Sequence, residues 1–301
     1  MTATSKIAVC TSLYEAGRPF LDAFVAGLNA SSPGQDVMLV AALHGFDDPS
    51  AAFVALDGTL PVRFTEVPAD ASVAEVRCRM LRAAAETEAE YFVLVDMDDY
   101  LLPEGVAAHL AAMRDADFSY GDMALIDADG ADMGRTFYQD NAIPAKLSGV
   151  DGEAAILTRN FLGFSNTAFR RRCLDPARLA IPDDLVAIDW WFYTQLLQDG
   201  YTGAKADRPV IAYRTHAGNI LGGRARADLT AVRRRLAINR RHCEAFAGNV
   251  AFDVRRAALD RLESWIERED EAVAAAVAAA CSAPGVWFDD IARLADRVAA
   301  D

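Results

Sequence analysis

The sequence lacks the cysteine patterns that build zinc sites or disulfide frameworks. It has 5 cysteines, an odd number, and no two of them form a C-x-x-C pair. Scattered cysteines of this kind predict free thiols and favour a reducing compartment. The chain begins Met-Thr-Ala-Thr-Ser-Lys and runs directly into an apolar segment, which is unlike a signal peptide. We therefore expect a cytoplasmic protein.

Positive charge is scarce, and long apolar runs are missing. The chain has 30 lysines and arginines against 44 aspartates and glutamates, for a formal net charge of −14. Nucleic-acid phosphates and anionic membranes both attract basic surfaces, so neither is an expected partner. The Ala-rich stretch at residues 272–280 is too short and too weakly apolar to span a bilayer. We expect no nucleic-acid binding and no transmembrane segment.

The hydrophobic pattern of the first part alternates between strands and helices. At 301 residues, with 52% hydrophobic and 25% charged residues, the chain is an ordinary globular protein of one large domain or a domain with an appendage. Predicted strands cover residues 6–11, 37–43, 62–67 and 91–95, and predicted helices cover residues 19–30, 50–56, 72–85 and 103–113. This alternation indicates parallel βαβ units with right-handed crossovers.

The pattern changes after Asp115 and again near Arg226. Further strands are predicted at residues 118–126, 131–137, 164–170 and 209–213, with a helix at 189–197. This mixed part suggests an antiparallel addition to the same sheet. From residue 226 onward the pattern is helical, with apolar faces that group Leu229, Val232 and Leu236, and Val254, Ala258, Leu262 and Trp265. We expect an α/β fold with a Rossmann-like domain and mixed central sheet at residues 1–225. A helical C-terminal extension at 226–301 would pack on it or form a homodimer interface.

An apolar run that ends in three carboxylates is the most informative segment. Tyr91 to Val95 is typical of a strand buried on both faces, and Asp96, Asp98 and Asp99 follow it. Side chains two residues apart on a strand point the same way, so Asp96 and Asp98 would share one side, before Pro103 opens a helix. Open α/β sheets bind ligands at such strand ends, and two aligned carboxylates suit a divalent cation that also binds phosphate oxygens. An Asp-rich turn that only terminates the strand is the alternative.

A second acid begins a predicted helix beside two large rings, in Ile188-Asp189-Trp190-Trp191. Asp189 could be simply a helix cap, and rings at helical spacing are more often core than binding surface. Beside apolar rings, however, the carboxylate would be partly desolvated, which raises its pKa and makes it a better base.

Two further polar residues, and one cluster of arginines, are candidates for binding. Arg77, on the helix before the acidic strand, could hold a phosphate through paired hydrogen bonds or form a salt bridge on a solvated face. His216, which follows the last strand among glycines, could bind a metal or a ligand or be an ordinary surface residue. The arginines at 224, 226, 233, 234, 235, 240 and 241 are most simply a solvated helix face, with acceptor or lipid contact as the alternative.

The order and spacing of these segments resemble the family 2 glycosyltransferases with the GT-A fold, over about Lys6 to Gly222. Several signatures of that family recur in order. The polar end of the first strand falls on Thr11 and Ser12, the helical arginine on Arg77, Asp-x-Asp-Asp on 96–99, Gly-x-Ser-Asn-Thr on 163–167, Glu-Asp-Trp on 188–190, and Tyr-Arg-x-His on 213–216.

The resemblance implies a role for each of these residues. Asp189 would be the catalytic base, and the nucleotide-sugar would be bound by Thr11, Arg77 and Asp96. The ligands of Mn²⁺ or Mg²⁺ would be Asp98 and His216. A donor or acceptor loop would include Asn166, Trp190 and Asn219. The implied reaction is an inverting hexosyl transfer from a UDP-, dTDP- or GDP-linked sugar to the hydroxyl of a carbohydrate or glycan acceptor. The metal would stabilise the diphosphate leaving group, and the base would take the acceptor proton.

Two positions depart from the family pattern. Members usually carry Asp-Asp-Gly-Ser after the second strand, where an acid helps to recognise the base, but this chain reads Leu43-His44-Gly45-Phe46. The nucleotide's base is therefore not assigned. The Glu of the Glu-Asp pair is Ile188 here, which keeps the catalytic acid and alters its surroundings.

Other functions are weighed against this one. A sugar nucleotidyltransferase should carry a glycine-rich phosphate loop after the first strand, where this chain reads Thr11-Ser-Leu-Tyr-Glu-Ala-Gly17. A catalytically silent nucleotide-sugar-binding or scaffold protein would have no need of Asp96, Asp98 and Asp189 together. Ser-His-Asp hydrolysis has no signature, because no G-x-S-x-G elbow occurs.

Overall fold

The computed structural model describes residues 6–32, 36–46, 60–141, 143, 149–216, 228–283 and 287–300. The strands are β1 Ile7–Tyr14, β2 Val37–His44, β3 Val62–Val67, β4 Tyr91–Leu94, β5 Tyr100–Leu101, β6 Phe118–Tyr120, β7 Met123–Ile126, β8 Asp132–Thr136, β9 Gly149–Val150, β10 Thr167–Arg170, β11 Gly203–Lys205 and β12 Ile211–Arg214. The α-helices are α1 Leu21–Ser31, α2 Val73–Ala85, α3 Gly105–Ala112, α4 Phe137–Asp140, α5 Ile188–Gln198, α6 Leu229–Ala245, α7 Val250–Ile266, α8 Glu271–Ser282 and α9 Asp289–Ala300.

Two sheets are formed by these strands. The larger has the order β3-β2-β1-β4-β10-β6-β11-β9, and the smaller has the order β5-β12-β7-β8. In the larger sheet β3, β2, β1 and β4 are parallel, whereas β10 runs antiparallel to both β4 and β6. The sheet is therefore mixed, as the sequence predicts, and the antiparallel addition lies beside the acidic strand β4.

The central parallel strands β1, β2 and β4 are buried because their sequences are continuous apolar runs, whereas the edge strand β3 reads VRFTEV and is buried only at Val67. All of β1 except Tyr14 is buried, and β2 is buried at six of its eight positions. Helix α2 covers this sheet with an amphipathic pattern, and the Ser72 hydroxyl caps its start by accepting the Glu75 N–H at 3.1 Å. The predicted strands and helices of this region are confirmed to within a few residues, except for the helix at 50–56, which lies outside the described residues.

Two predicted helix starts are two residues too early, and in both cases a proline precedes the real start. Pro19 lies in a 3₁₀ helix at Glu15–Phe20, and α1 begins only at Leu21. Pro103 lies in a turn, and α3 begins at Gly105. The physical reason at the second position is strand pairing: β5 pairs with β12, and the Leu102 N–H donates to the Val210 carbonyl at 3.0 Å, which keeps the backbone extended.

The predicted strand at 118–126 is two strands in different sheets. The extended conformation is interrupted at Gly121 and Asp122, where the Asp122 carboxylate accepts hydrogen bonds from the backbone N–H groups of Met123 and Tyr138. Here β6 joins the larger sheet while β7 joins the smaller one. A continuous apolar pattern does not reveal this change of sheet. The predicted helix at 189–197 is α5, which ends before Gly200, a residue at φ +81°.

The C-terminal extension is helical, as predicted, but one of its predicted faces is wrong. The buried stripe of α7 consists of Phe252, Arg255, Leu259, Leu262 and Ile266, whereas Val254 is 65% exposed. The stripe is displaced because α7 packs against both α6 and α9. The predicted boundary between residues 225 and 226 lies outside the described residues and stays a prediction.

The arginine cluster of the extension is not a free basic surface. Arg233 pairs with Glu269, Arg235 with Asp290, Arg240 with Asp260 and Glu263, and Arg241 with Asp184. Arg235 is buried, so the interpretation as a solvated face fails at that residue. Arg224 and Arg226 lie outside the described residues.

Among the helices that the structure describes, none combines the length and the apolar character needed to span a bilayer.

Candidate active site

A cavity of about 360 Å³ opens at the carboxyl ends of the central parallel strands. Its walls come from β1 (Ser12, Tyr14), His44 of β2, α2 (Val73, Val76, Arg77), the acidic turn (Asp96, Asp98, Asp99), loop 163–165, the start of α5 (186–189), Tyr213 and Trp287. Strand β1 pairs in parallel with β4 up to Cys10 and Leu94, which places Ser12 and Asp96 at the same edge of the sheet. The cavity therefore lies where open α/β sheets bind ligands.

Arg77 is fixed in this cavity by two partners at the strand ends. Its Nη2 donates to Asp96 Oδ1 at 2.5 Å, and its Nη1 donates to Ser12 Oγ at 3.2 Å. The guanidinium carbon lies 5.6 Å from the centre of the Phe164 ring. The Arg77 side chain is only 13% exposed, so the ion pair is an element of the cavity wall and not of a solvated face. The sequence hypothesis placed Arg77 and Asp96 at one site, and the structure brings them into contact.

Asp98 and His216, the two predicted metal ligands, are in contact. His216 Nε2 lies 3.0 Å from Asp98 Oδ2, and the two side chains are 18% and 15% exposed. Burial raises the pKa of Asp98, the nearby charge of Asp96 raises it further, and the hydrogen bond with His216 offsets part of this. The His216 ring packs against Phe20, with ring centroids 5.4 Å apart.

The third carboxylate of the turn, Asp99, has a structural position that the sequence did not reveal. It is buried, and its Oδ1 accepts the backbone N–H of Arg214 at 2.8 Å. Arg214 in turn donates from Nε to the Asp98 carbonyl at 2.9 Å. Burial raises the pKa of Asp99 well above the usual aspartate range, and the Asp98 charge adds to this. These contacts fix the acidic turn against β12 and so hold Asp98 near His216.

Asp189 lies in the first turn of α5 and faces the cavity. Its Oδ1 accepts the Trp190 N–H at 2.7 Å, which orients the carboxylate. Burial raises the pKa of Asp189 to about 6, although the Trp190 N–H and the Arg77 charge both act in the opposite direction. Desolvation of Asp189 is therefore present, as the sequence predicts, and the carboxylate can accept a proton near neutral pH.

Two predicted binding residues do not face the cavity. Thr11 is fully buried, and the residue that faces the cavity is Ser12, because alternate side chains of a strand point to opposite sides. Asn166 is also fully buried, where its Nδ2 donates to the carbonyls of Gly121 and Phe161 and its Oδ1 accepts the Gly163 N–H at 2.8 Å. Asn166 therefore shapes the loop that lines the cavity and does not reach a ligand itself.

Trp190 packs in the core next to the site and does not line the cavity. Its side chain is fully buried and absent from the cavity wall, and its Nε1 donates to the Ile156 carbonyl at 2.7 Å. The ring is stacked between His242, at 4.0 Å between centroids, and Phe288, at 5.0 Å. The prediction of Trp190 as part of a donor or acceptor loop is therefore corrected: the ring joins α5 to the C-terminal helices. Asn219 lies outside the described residues.

Trp287 is a cavity residue that sequence reasoning missed. It comes from the C-terminal extension, which the family resemblance leaves outside, and it lines the cavity beside loop 163–165. No motif or periodicity distinguishes it in the sequence. Tyr14 and Tyr213 also line the cavity: Tyr213 begins the recognised segment 213–216, and Tyr14 lies just after the polar end of the first strand.

The chemistry of the acidic turn fits a divalent cation that binds together with phosphate. Within the described ranges no group of three or more His, Cys, Asp or Glu side chains is arranged to hold a metal ion. Asp98 and His216 supply one carboxylate oxygen and one imidazole nitrogen, which leaves the remaining coordination positions to water or phosphate oxygens. Mn²⁺ accepts such a mixed set more readily than Mg²⁺, which prefers oxygen ligands, and either cation would offset the crowded negative charge of the turn.

Comparison with known proteins identifies the fold. No protein-family model matches the chain, and no curated protein matches it by sequence. TarS 1–349 from S. aureus in complex with UDP-GlcNAc superposes with a TM-score of 0.58 and 14% identity, over 85% of this chain and 70% of that chain. The mannosyltransferase PcManGT from Pyrobaculum calidifontis in complex with GDP-Man and Mn²⁺ gives a TM-score of 0.58 and 16% identity, over 99% of this chain and 81% of that chain. The chain has the GT-A fold of such glycosyltransferases, as the resemblance implies.

Proposed function

We propose that the chain is a metal-dependent inverting glycosyltransferase that moves a sugar from a nucleoside diphosphate sugar to an acceptor hydroxyl. One observation carries this proposal: a single cavity at the strand ends is lined by Arg77, Asp96, Asp98 and Asp189 together. The first three suit a metal-bound diphosphate, and the fourth suits a general base. Fold alone would not justify the proposal, because one fold hosts many functions.

The donor side is formed by the acidic turn and Arg77. Asp98 and His216 would hold Mn²⁺ or Mg²⁺, which supplies positive charge to the diphosphate as it leaves. Arg77, fixed by Asp96 and Ser12, adds a second positive charge without a loss of side-chain freedom on binding. Asp96 would contact the ribose of the nucleotide with the oxygen that Arg77 does not use.

The acceptor side is centred on Asp189. A carboxylate with a pKa near 6 is ionised at neutral pH and is a stronger base than an exposed aspartate. It would take the proton from the acceptor hydroxyl while that oxygen attacks the anomeric carbon from the face opposite the diphosphate. A single displacement of this kind breaks the bond to the phosphate oxygen and inverts the anomeric configuration.

The neighbours in fold support the donor class without choosing the nucleotide. TarS was solved with UDP-GlcNAc, and PcManGT was solved with GDP-Man and Mn²⁺. The two donors differ in both base and sugar, so UDP-, GDP- and dTDP-linked hexoses are all candidates here. His44 lines the cavity in the region where the family's base-recognising acid is missing, and its contact with the Ala69 carbonyl holds it there.

A thermal-shift panel tests the proposal directly, because a ligand that binds only the folded state raises apparent stability. UDP-, dTDP- and GDP-sugars are each compared in Mn²⁺, in Mg²⁺ and in EDTA. We expect at least one donor to raise the melting temperature in the presence of metal and to have little effect in EDTA. If no nucleotide-sugar shifts the transition under any condition, the proposed function is wrong.

A further inference from the structure

Trp287 forms part of the cavity wall although it belongs to the C-terminal extension. The ring is half-buried and packs beside loop 163–165, so that a Cβ atom at Gly163 would lie 3.0 Å from the Trp287 ring carbon Cη2. Its centroid lies 5.4 Å from that of Phe137, and Phe137 contacts the cavity residue Tyr213 edge to face at 5.9 Å. Glycine at position 163 therefore makes room for a large flat side chain at the edge of the site.

The next residue holds Trp287 in place. Phe288 is buried, stacks on Trp190 and has a φ of +70°. A bulky residue rarely adopts a positive φ, and such strain persists only where the surrounding packing determines it. Trp190 directly follows Asp189, so the contact between Phe288 and Trp190 ties the position of Trp287 to that of the proposed base.

We propose that Trp287 is the stacking platform of the acceptor subsite and that the acceptor is a pyranose ring. This inference rests on the proposed function and names the substrate class for the same cavity. A pyranose presents one face of C–H groups, and the negative face of an indole attracts such groups while both surfaces leave water. The ring's hydroxyls stay at its edge, and one of them would face Asp189, which lines the same cavity as Trp287.

The position of Trp287 favours the acceptor over the donor. The polar groups suited to a nucleotide diphosphate belong to β1, α2 and the acidic turn, whereas Trp287 is fixed through Phe288 and Trp190 to the start of α5. The acceptor is the substrate that must meet Asp189. Trp287 lies against Gly163, and the same cavity wall includes the apolar residues Phe164 and Ile188.

The test compares Trp287→Ala and Trp287→Phe in the full chain, with Trp265→Ala as the matched control. Trp265 is a half-buried tryptophan of α7 that packs under Arg268, away from the cavity. The donor is whichever UDP-, dTDP- or GDP-sugar of the thermal-shift panel binds the wild-type chain. Three rates are measured: transfer to methyl glycopyranosides of glucose, galactose, mannose and N-acetylglucosamine, transfer to the ringless polyol glycerol, and hydrolysis of the donor by water.

We expect Trp287→Ala to lower kcat/KM for the best glycopyranoside by about tenfold or more, mainly through a higher KM, which is the scale of one aromatic stacking contact and its buried area. Trp287→Phe should retain most of the rate, because it keeps a flat ring. Donor affinity, donor hydrolysis and transfer to glycerol should change by less than about twofold. Trp265→Ala should match the wild type in all three assays.

Saturation-transfer NMR gives a second readout that does not depend on turnover. With nucleoside diphosphate and metal bound, the C–H protons of the methyl glycopyranoside should receive magnetisation in the wild type and in Trp287→Phe, and lose it in Trp287→Ala. Equal signals in all three chains would overturn the assignment of Trp287. A loss of donor affinity in Trp287→Ala as large as the loss of kcat/KM for the glycopyranoside would also overturn it, because the ring would then belong to the donor site. If the wild-type chain binds no donor at all, the proposed function itself fails.

Discussion

At the scale of single residues, the three carboxylates of the acidic turn have three different environments. Asp96 pairs with Arg77, Asp98 contacts His216, and Asp99 is buried against the backbone of Arg214. Of the three, Asp96 and Asp98 are paired with side chains, and these pairings can be replaced by contacts with a ligand. Asp99 is shielded from solvent, accepts a backbone hydrogen bond and has a raised pKa. Its contribution is therefore to the shape of the turn.

Replacement of Asp189 by asparagine tests the proposed base. Asp189→Asn keeps the size of the side chain and an oxygen for the Trp190 N–H, but the amide cannot take a proton. We expect turnover to fall by roughly a hundredfold or more, the usual scale of general-base catalysis. Donor affinity should barely change, because Arg77 and the acidic turn are intact. Near wild-type transfer by this variant would remove Asp189 from the mechanism.

The pKa of Asp189 sets an expected pH dependence. The base must be ionised to act, and burial raises its pKa to about 6. The value of kcat/KM should therefore be constant above this pH and fall about tenfold for each unit below it. The residual activity of Asp189→Asn should lack this limb, since no group at position 189 then titrates. The measurement is a pH–rate profile of both chains at saturating metal, and an unchanged acidic limb in the variant assigns that limb to another group.

Sequence reasoning located the candidate site residues that belong to motifs in a recognisable order. It failed where the direction of a side chain decides whether the residue faces the cavity. Arg77, Asp96, Asp98 and Asp189 share one cavity, as the resemblance implies. Thr11 and its neighbour Ser12 are both polar, and only the register of β1 decides which one faces the cavity. Trp190 is apolar and next to the proposed base, and only its stacking on Phe288 shows that it points away.

At the scale of elements, the loop before β10 is held by buried side chains, of which Asn166 makes the most hydrogen bonds, while Asn160 and Thr167 add one each. Asn166 makes three hydrogen bonds, to Gly121, Phe161 and Gly163, and the last of these residues faces the cavity. Loop 161–166 has no regular secondary structure of its own, so these bonds replace the backbone pairing that a strand or helix would provide.

Asn166→Ala should therefore destabilise the protein more than an ordinary asparagine change. It leaves buried backbone groups without partners, at about 1–3 kcal/mol for each such group. The half-buried Asn141, which donates to the Phe137 carbonyl at 2.7 Å, provides the comparison. Asn141→Ala should lower the free energy of unfolding by only about 1 kcal/mol. Urea denaturation measures both values, and equal losses would contradict the assigned role of Asn166.

The prediction of strands and helices succeeded where the hydrophobic pattern matches the burial of the segment. It failed where a strand exists only because of the strands with which it pairs. Strands β1, β2 and β4 are continuous apolar runs, and they are where the pattern places them. Strands β9 and β11, of two and three residues, pair with each other across the edge of the sheet and carry no pattern of their own. The break between β6 and β7 exists because two sheets diverge there.

At the scale of the whole molecule, the C-terminal extension shares an apolar core with the central sheet. Ile238 of α6 and Phe288 belong to the same apolar cluster as the central strands, and Trp190 stacks against both His242 and Phe288. The extension has a second cluster of its own around Phe252, Leu259 and Leu262. The predicted homodimer interface on these helices stays a prediction.

Shared packing of this kind predicts one cooperative unfolding transition. In a Trp265→Phe variant, tryptophan fluorescence reports on Trp190, Trp191 and Trp287 and not on α7, while far-UV circular dichroism reports on all helices, including α6 to α9. The two curves in guanidinium should coincide, because the extension cannot unfold without exposing Trp190. A separate early transition in circular dichroism would mean that the extension is an independent unit.

The central claim is that the cavity binds a nucleoside diphosphate through a divalent cation held at Asp98. Isothermal titration calorimetry of UDP and GDP tests it, with the wild type, Asp98→Ala and the exposed control Asp151→Ala each titrated in Mn²⁺ and in EDTA. The account predicts strong binding of one nucleotide to the wild type and to Asp151→Ala in Mn²⁺ only, with the metal-dependent part abolished in Asp98→Ala. Equal affinity in EDTA and Mn²⁺, or undiminished metal-dependent binding by Asp98→Ala, would contradict it.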